Sequence, residues 1–290
     1  MRIGNLAGRV TLLSSTKALD IERASQAKFG HECGDIWQRW EDFKTWSSTI
    51  DVDQNPLSVS FDAKKLLSPS PCPRQIFAIG LNYADHAAEA NLPIPKNPLV
   101  FTKFASSLTG ASQSIRLSSE NVDWEAELVI VVGVGGRNIR AENALSHVAG
   151  FSVGQDISDR AVQLWGAPSA QFSLGKSFEN YSPVGPWVVT LDEISARAHL
   201  NELSISCVIN HADGTSSKVQ DGNTRDMIFS VQDIIVKLSE IVMLLPGDLI
   251  FTGTPAGVGI GRTPKMYIQP GDHMITKIEA VGEIVQDFYK

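Results

Sequence analysis

Cysteine is scarce in this chain. The three residues, Cys33, Cys72 and Cys207, are odd in number and show no CxxC spacing. That points to neither a disulfide framework nor a cysteine zinc site, and the default setting is a reducing, cytoplasmic one. Long apolar runs are also missing. The longest candidate, Leu128 to Val134, is interrupted by Gly133 and falls far short of the roughly 18–20 residues that span a bilayer. Met1-Arg2-Ile3-Gly4-Asn5 lacks the apolar stretch of a signal peptide. Positive charge is in deficit, with 25 Lys and Arg against 32 Asp and Glu, a net charge of −7 and a pI near 5.4. Such a surface disfavours nucleic acid and anionic membrane as main partners, yet a few local cations can still hold a small anionic substrate. No repeat of solenoid or propeller period is found.

What is present is an ordinary globular composition, 43% hydrophobic and 20% charged over 290 residues, enough for one large or two unequal domains with a real core. Residues 1 to about 72 are mixed in character. Arg9 to Ser14 reads as a short strand, and Trp37 and Trp40 sit at a helical spacing that favours packing over ligand binding. Ser68-Pro69-Ser70-Pro71-Cys72-Pro73 suits neither a helix interior nor a central strand and marks the best linker. Beyond it, from residue 73 to 290, strands are expected at Ile76–Ile79, Leu99–Lys103, Glu125–Val132, Phe151–Val153, Trp187–Thr190, Ser204–Ile209, Leu249–Phe251 and Met274–Ile278. Helices are expected at Asn82–Ala90, Ala141–His147, Asp159–Leu164 and Val231–Ile241, and Leu92–Pro98, with three prolines, reads as a loop. The pattern is α+β and β-rich, without regular βαβ winding.

Asp123-Trp124-Glu125-Ala126-Glu127 leads into an apolar, β-branched strand. Glu125 and Glu127 then face the same way, roughly 6–7 Å apart. Two neighbouring carboxylates need a shared proton, a basic partner or a hard divalent cation. Taken alone the pair also fits a solvated strand end that blunts edge pairing. Asp156, between a strand and a helix, suits an N-cap; with Glu125 and Glu127 it would complete a carboxylate set for Mg²⁺, Mn²⁺ or Ca²⁺. His86 and Glu89 share a helix face at i,i+3, an arrangement that orients an imidazole as a base and also fits an exposed helix turn. Lys176 is a lysine in apolar company. Arg160 and Gln163, one turn apart after Asp156, can both reach a ligand near a metal there.

Other motifs fade on inspection. The glycine clusters at 133–136 and 257–261 miss GxGxxG, and Gly175-Lys176-Ser177 ends like a P-loop but has Ala170 where the first glycine belongs. Gly150-Phe151-Ser152-Val153-Gly154 fits GxSxG, but Ser152 falls inside an expected strand instead of at a strand-to-helix elbow.

In order along the chain, Gly80-Leu81-Asn82-Tyr83 with His86 and Glu89, Glu125-Ala126-Glu127, Gln155-Asp156 with Arg160 and Gln163, Gly175-Lys176-Ser177-Phe178, Gly185-Pro186-Trp187, Gly247-Asp248 and Thr252-Gly253-Thr254-Pro255 resemble the fumarylacetoacetate hydrolase family from about Pro73 onward. The resemblance implies a β-rich C-terminal catalytic fold, a smaller N-terminal domain and a homodimer. It implies Mg²⁺ or Mn²⁺ on Glu125, Glu127 and Asp156, water activation by His86 and Glu89 on a lid-like helix, and oxyanion stabilisation by Lys176. Tyr83, Arg160, Gln163 and Thr254 fall where the family contacts the oxo-acid end of its substrate. Trp124 departs from the His or Tyr common before the first glutamate, and Asn180-Tyr181 departs from a Thr-Phe-like pair. The expected activity is metal-dependent hydrolysis of a carbon–carbon bond in a β-dicarbonyl such as an acylpyruvate. An oxaloacetate decarboxylase or an enol/keto isomerase on the same site is the alternative, and a non-catalytic Ca²⁺-binding protein the remote one.

Overall fold

The segment Ala126–Val132, Ala-Glu-Leu-Val-Ile-Val-Val, forms the central strand of the computed structural model, which describes residues 1–89 and 92–290. Every residue of it is buried, so both faces are covered and the run is apolar where a half-exposed strand would alternate. It pairs antiparallel with Val148–Gln155 on one side and with Leu249–Phe251 on the other. The sheet continues outward through Ile76–Gly80, parallel to Leu249–Phe251, to Leu99–Thr102. In the other direction Ser182–Val189 pairs with Val148–Gln155 and then with Arg2–Leu6, Arg9–Leu13, Lys17–Asp20 and Val59–Ser60. A second sheet holds Ser216–Asn223, Ser204–Asn210, His273–Ile278, Gly282–Tyr289 and Ser112–Arg116, in that order. The β-rich α+β expectation holds.

The two faces of the central strand look into different cores. Leu128, Ile130 and Val132 join Ile205, Ile209, Met274 and Ile284 between the two sheets. Val129 and Val131 join Phe29, Trp37, Trp40 and Phe43 from the N-terminal residues. Burying each such side chain contributes roughly 1.5–3 kcal/mol, which is why a strand covered on both sides anchors the fold. Trp37 and Trp40 pack as expected, with ring centroids 5.5 Å apart. They lie on two short helices, Cys33–Gln38 and Trp40–Ser47, that break at Arg39.

Leu249–Phe251 and Val231–Ile241 form as read from sequence. The Ser/Pro stretch after Leu67 is irregular, as its prolines dictate, but it is seated: Asn5 Nδ2 donates to Ser68 O at 2.9 Å and Ser70 Oγ to Gly247 O at 2.7 Å. The helix expected over Asn82–Ala90 runs from Ala84 to Glu89, and Ala90 lies outside the described residues. Leu92–Pro98 has no regular structure. Ser152 lies within Val148–Gln155 and donates to Gly185 O and Trp187 O at 3.0 Å each, so it is a buried strand residue and no nucleophile. Among the described residues no helix is long and apolar enough to cross a membrane.

Candidate metal and acid–base site

Strand pairing assembles the acidic cluster. Ala126 is registered opposite Gln155, so Glu125 and Asp156 are neighbours just past the paired ends, where Asp156 N donates to Glu125 O at 2.9 Å. Glu127, two residues along from Glu125, completes a buried trio whose ligand oxygens lie within 4.8 Å of one another. Asp156 is not a helix cap. That task falls to Asp159, whose Oδ1 accepts from Ala161 N at 3.0 Å and Val162 N at 3.2 Å.

Cations surround two of the three carboxylates. Lys176 Nζ lies 2.6 Å from Glu125 Oε2 and 2.7 Å from Asp156 Oδ2. Burial alone would push the Glu125 carboxyl up, but Lys176 and Arg160 outweigh it and hold it near 2. Burial likewise pulls Lys176 down, and Asp156 and Glu125 more than restore it, so its ammonium stays charged. Its placement depends on Gly175, where a Cβ would come within 2.6 Å of Gln163 backbone; only glycine lets the Phe172–Gly175 turn press against the Arg160–Gln163 helix. Glu127 differs. Among the described residues it has no ion-pair partner and accepts only from Gly253 N, at 2.7 Å. Gly253 has φ of +98° and no room for a Cβ against Asn82, which makes that donor's position a glycine one. Burial first, then Asp156 and Glu125, push the Glu127 carboxyl well above the usual range.

Two groups were not anticipated from sequence. Lys103, fully buried, contacts Asp156 Oδ1 and the Lys176 carbonyl and so braces both. Asp123 accepts from Gly259 N at 2.7 Å, Ile260 N at 2.9 Å and Arg160 Nε at 2.8 Å, fixing the 257–262 turn and the arginine together. Asp123 stands within the Asp-Trp-Glu-Ala-Glu motif, so its place there was a usable signal. Lys103, between Thr102 and Phe104, carried none. Replacing Lys103 by methionine removes one member of a buried ionic network. The expected loss is about 3–5 kcal/mol of stability, measured by urea unfolding.

Opposite the cluster, Glu89 Oε2 lies 3.1 Å from His86 Nδ1, and Gly257 N donates to Glu89 Oε1 at 3.0 Å. Burial raises the Glu89 carboxyl, but the hydrogen bonds from His86 and Gly257 hold it below the usual range. An ionised Glu89 keeps the proton on Nδ1 and leaves Nε2 as the acceptor. The dyad, Glu125, Glu127 and Lys176 line one cavity of about 680 Å³.

Of the remaining residues named from sequence, Arg160, Gln163 and Thr254 line that cavity too. All three have prior engagements. Arg160 Nη2 lies 2.8 Å from Glu125 Oε1 and its Nη1 donates to Gln163 Oε1 at 2.7 Å. Thr254 Oγ1 donates to Ala126 O at 2.9 Å. Tyr83 is not on the cavity wall; it is fully buried and its hydroxyl has no hydrogen-bond partner among the described residues.

Four carboxylates thus face three cations, and the one left unpaired borders the cavity. An all-oxygen, acidic donor set without histidine or cysteine fits a hard divalent cation such as Mg²⁺ or Mn²⁺. Comparison with known proteins agrees. The family model described as fumarylacetoacetate hydrolase, C-terminal, matches residues 75–288. A mitochondrial oxaloacetate tautomerase of Xenopus laevis is 42% identical over 243 residues, 83% of this chain and 73% of the relative. A human mitochondrial oxaloacetate tautomerase is 41% identical over 221 residues, 76% of this chain and 68% of the relative. Among solved structures, an HpcE-designated protein of Mycobacterium smegmatis superimposes with a TM-score of 0.91 at 45% identity over 100% of this chain and 99% of that one. A maleylpyruvate hydrolase from Sphingobium sp. SYK-6, in complex with manganese(II) and pyruvate, gives 0.79 at 26% identity over 100% and 99%.

Proposed function

The chain belongs to the fumarylacetoacetate hydrolase family of metal-dependent hydrolases, isomerases and tautomerases, and from that premise we propose that it interconverts the keto and enol forms of a 2-oxo acid of the oxaloacetate type. The observation that carries this reading is the placement of a glutamate-oriented imidazole on the same cavity as an acidic metal cluster. The 41–42% identity to oxaloacetate tautomerases over most of the chain supports it.

Glu125, Glu127 and Asp156 would hold Mg²⁺ or Mn²⁺, which supplies Lewis-acid polarisation of a chelated 2-oxo carboxylate. The chain's own groups move the proton. His86 Nε2 accepts it from C3, the C3–H electron pair forms the C2–C3 double bond, and the C2 oxygen takes the negative charge. Return of a proton to that oxygen gives the enol, and return to C3 gives the keto form. Lys176, kept cationic by two carboxylates, places fixed positive charge at the inner end of the cavity where the oxyanion forms. Apolar walls from Leu99, Phe101 and Phe172 limit bulk water around the dyad.

Hydrolysis is the second reading. The same His86 Nε2 would take a proton from water, and the match to a maleylpyruvate hydrolase over the complete chain favours it. The test follows the ultraviolet absorbance of enol oxaloacetate with Mg²⁺, Mn²⁺ or EDTA, alongside release of pyruvate and acetate from acetylpyruvate. Metal-dependent enol decay without acetate release is the expected result. Equimolar pyruvate and acetate with no effect on enol decay would replace the tautomerase with the hydrolase.

A further inference from the structure

The cavity has cations that the acidic cluster does not use. Lys176 and Arg160 are each committed to two carboxylates. Arg262 and Lys265 line the same cavity and, among the described residues, neither has a carboxylate within ion-pair distance. They are the cations of the cavity wall that no ion pair holds, although the Glu89 carboxylate lies near enough to Arg262 to be stabilised by it.

Arg262 is also held in place. Its Nη2 donates to Val219 O at 2.7 Å and Gly257 O at 3.2 Å, and its Nε to Gly257 O at 3.3 Å. The guanidinium lies 5.8 Å from the centroid of the Trp124 ring. Those bonds go to neutral carbonyls, so they fix orientation without cancelling charge, and Nη1 takes no part in them. The turn that carries Arg262 is pinned by Asp123 at Gly259 and Ile260 and by Glu89 at Gly257. A preorganised guanidinium with spare donors is the arrangement that recognises a carboxylate. Trp124, which departs from the residue common in the family, is the platform beneath it. Lys265 is exposed and stands at the mouth.

We propose that Arg262, assisted by Lys265, binds the distal carboxylate of the substrate, so that the site selects dicarboxylic over monocarboxylic 2-oxo acids. The assignment rests on the reading of the site as one for 2-oxo acids. One carboxylate and the 2-oxo group lie at the acidic cluster, the carbon chain runs along the apolar wall past His86, and the second carboxylate meets Arg262. Arg160 lines the same cavity but is paired with Asp123 and Glu125, so Arg262 is the guanidinium there without an ion-pair partner among the described residues.

The test is a binding titration by calorimetry in the presence of Mg²⁺, with pyruvate as the one-carboxylate probe and 2-oxoglutarate as the two-carboxylate probe. Wild type is expected to bind 2-oxoglutarate roughly ten- to hundredfold more tightly than pyruvate, the range of a charge-assisted hydrogen bond. Arg262→Gln should erase that preference while its pyruvate Kd stays within about twofold of the wild-type value. Arg262→Lys should keep part of the preference, and Lys265→Gln should lose a few-fold only. Absence of preference in wild type, or equal loss of both probes in Arg262→Gln, would overturn the assignment. Oxaloacetate enol decay is followed on the same preparations. Wild type that discriminates between the probes yet leaves the enol untouched would unseat the tautomerase reading and leave Arg262 in its place.

Discussion

Glutamine in place of Glu127 is expected to abolish divalent-metal binding and lower kcat/KM by roughly a thousandfold, the several kcal/mol that Lewis-acid assistance contributes. The same change should make the metal-free protein more stable. Glu127 is the carboxylate of the trio that no cation pairs, and its neighbours Asp156 and Glu125 repel it. With its folded-state carboxyl raised above the unfolded value, the folded protein retains a proton that the unfolded chain gives up. Metal-free wild type should therefore lose stability as pH rises from the ordinary glutamate range toward the raised value, and Glu127→Gln should lack that slope. Thermal unfolding of both proteins from pH 4 to 8, with EDTA or with Mg²⁺, reads all of this. Metal at a hundredfold over its Kd should add about 2.7 kcal/mol to wild type and nothing to the variant. Glu125→Gln and Asp156→Asn should behave differently, since each leaves Lys176 short of a partner in a buried setting, and both should destabilise the metal-free protein.

His86→Ala should cost roughly 10²- to 10⁴-fold in the rate of enol–keto interconversion, the usual worth of a positioned general base. The helix Ala84–Glu89 accepts alanine readily, so folding and the Mg²⁺-induced thermal shift should stay at wild-type values. Metal-dependent loss of CO₂ from oxaloacetate needs no proton acceptor at C3, and any such activity should survive in the variant. An unchanged tautomerisation rate in His86→Ala would remove the dyad from the mechanism and leave only the acidic cluster.

The acidic cluster was legible because it is written in strand grammar. Glu125 and Glu127 precede an unbroken apolar run, Asp156 follows the next strand, and antiparallel pairing of those two strands is enough to bring them together. The His86–Glu89 pair was legible from helical spacing for the same reason: short-range geometry maps directly onto sequence distance. Lys103 reaches Asp156 from just past the strand Leu99–Thr102, 53 residues away, and nothing local marks a lysine as bound for a buried site. Tyr83 was named through the family resemblance and through no local pattern; the structure buries it fully, and it is not among the residues that line the cavity. Ser216–Asn223 escaped notice as a strand because Ser, Lys, Gln and Asp dominate it; its strand character comes from pairing with Ser204–Asn210, not from its own side chains.

The N-terminal strands extend the central sheet, with Arg2 and Ile3 paired to Val189 and Val188, and the aromatic helices beyond them cover Val129 and Val131. A fragment cut at residue 73 would carry every residue that lines the cavity, yet it would bare a β-strand edge and the apolar surface of Val129 and Val131, on the same strand face as Glu127. The first seventy residues, which touch none of the reacting groups, are in that sense what keeps the catalytic sheet from sticking to another copy of itself.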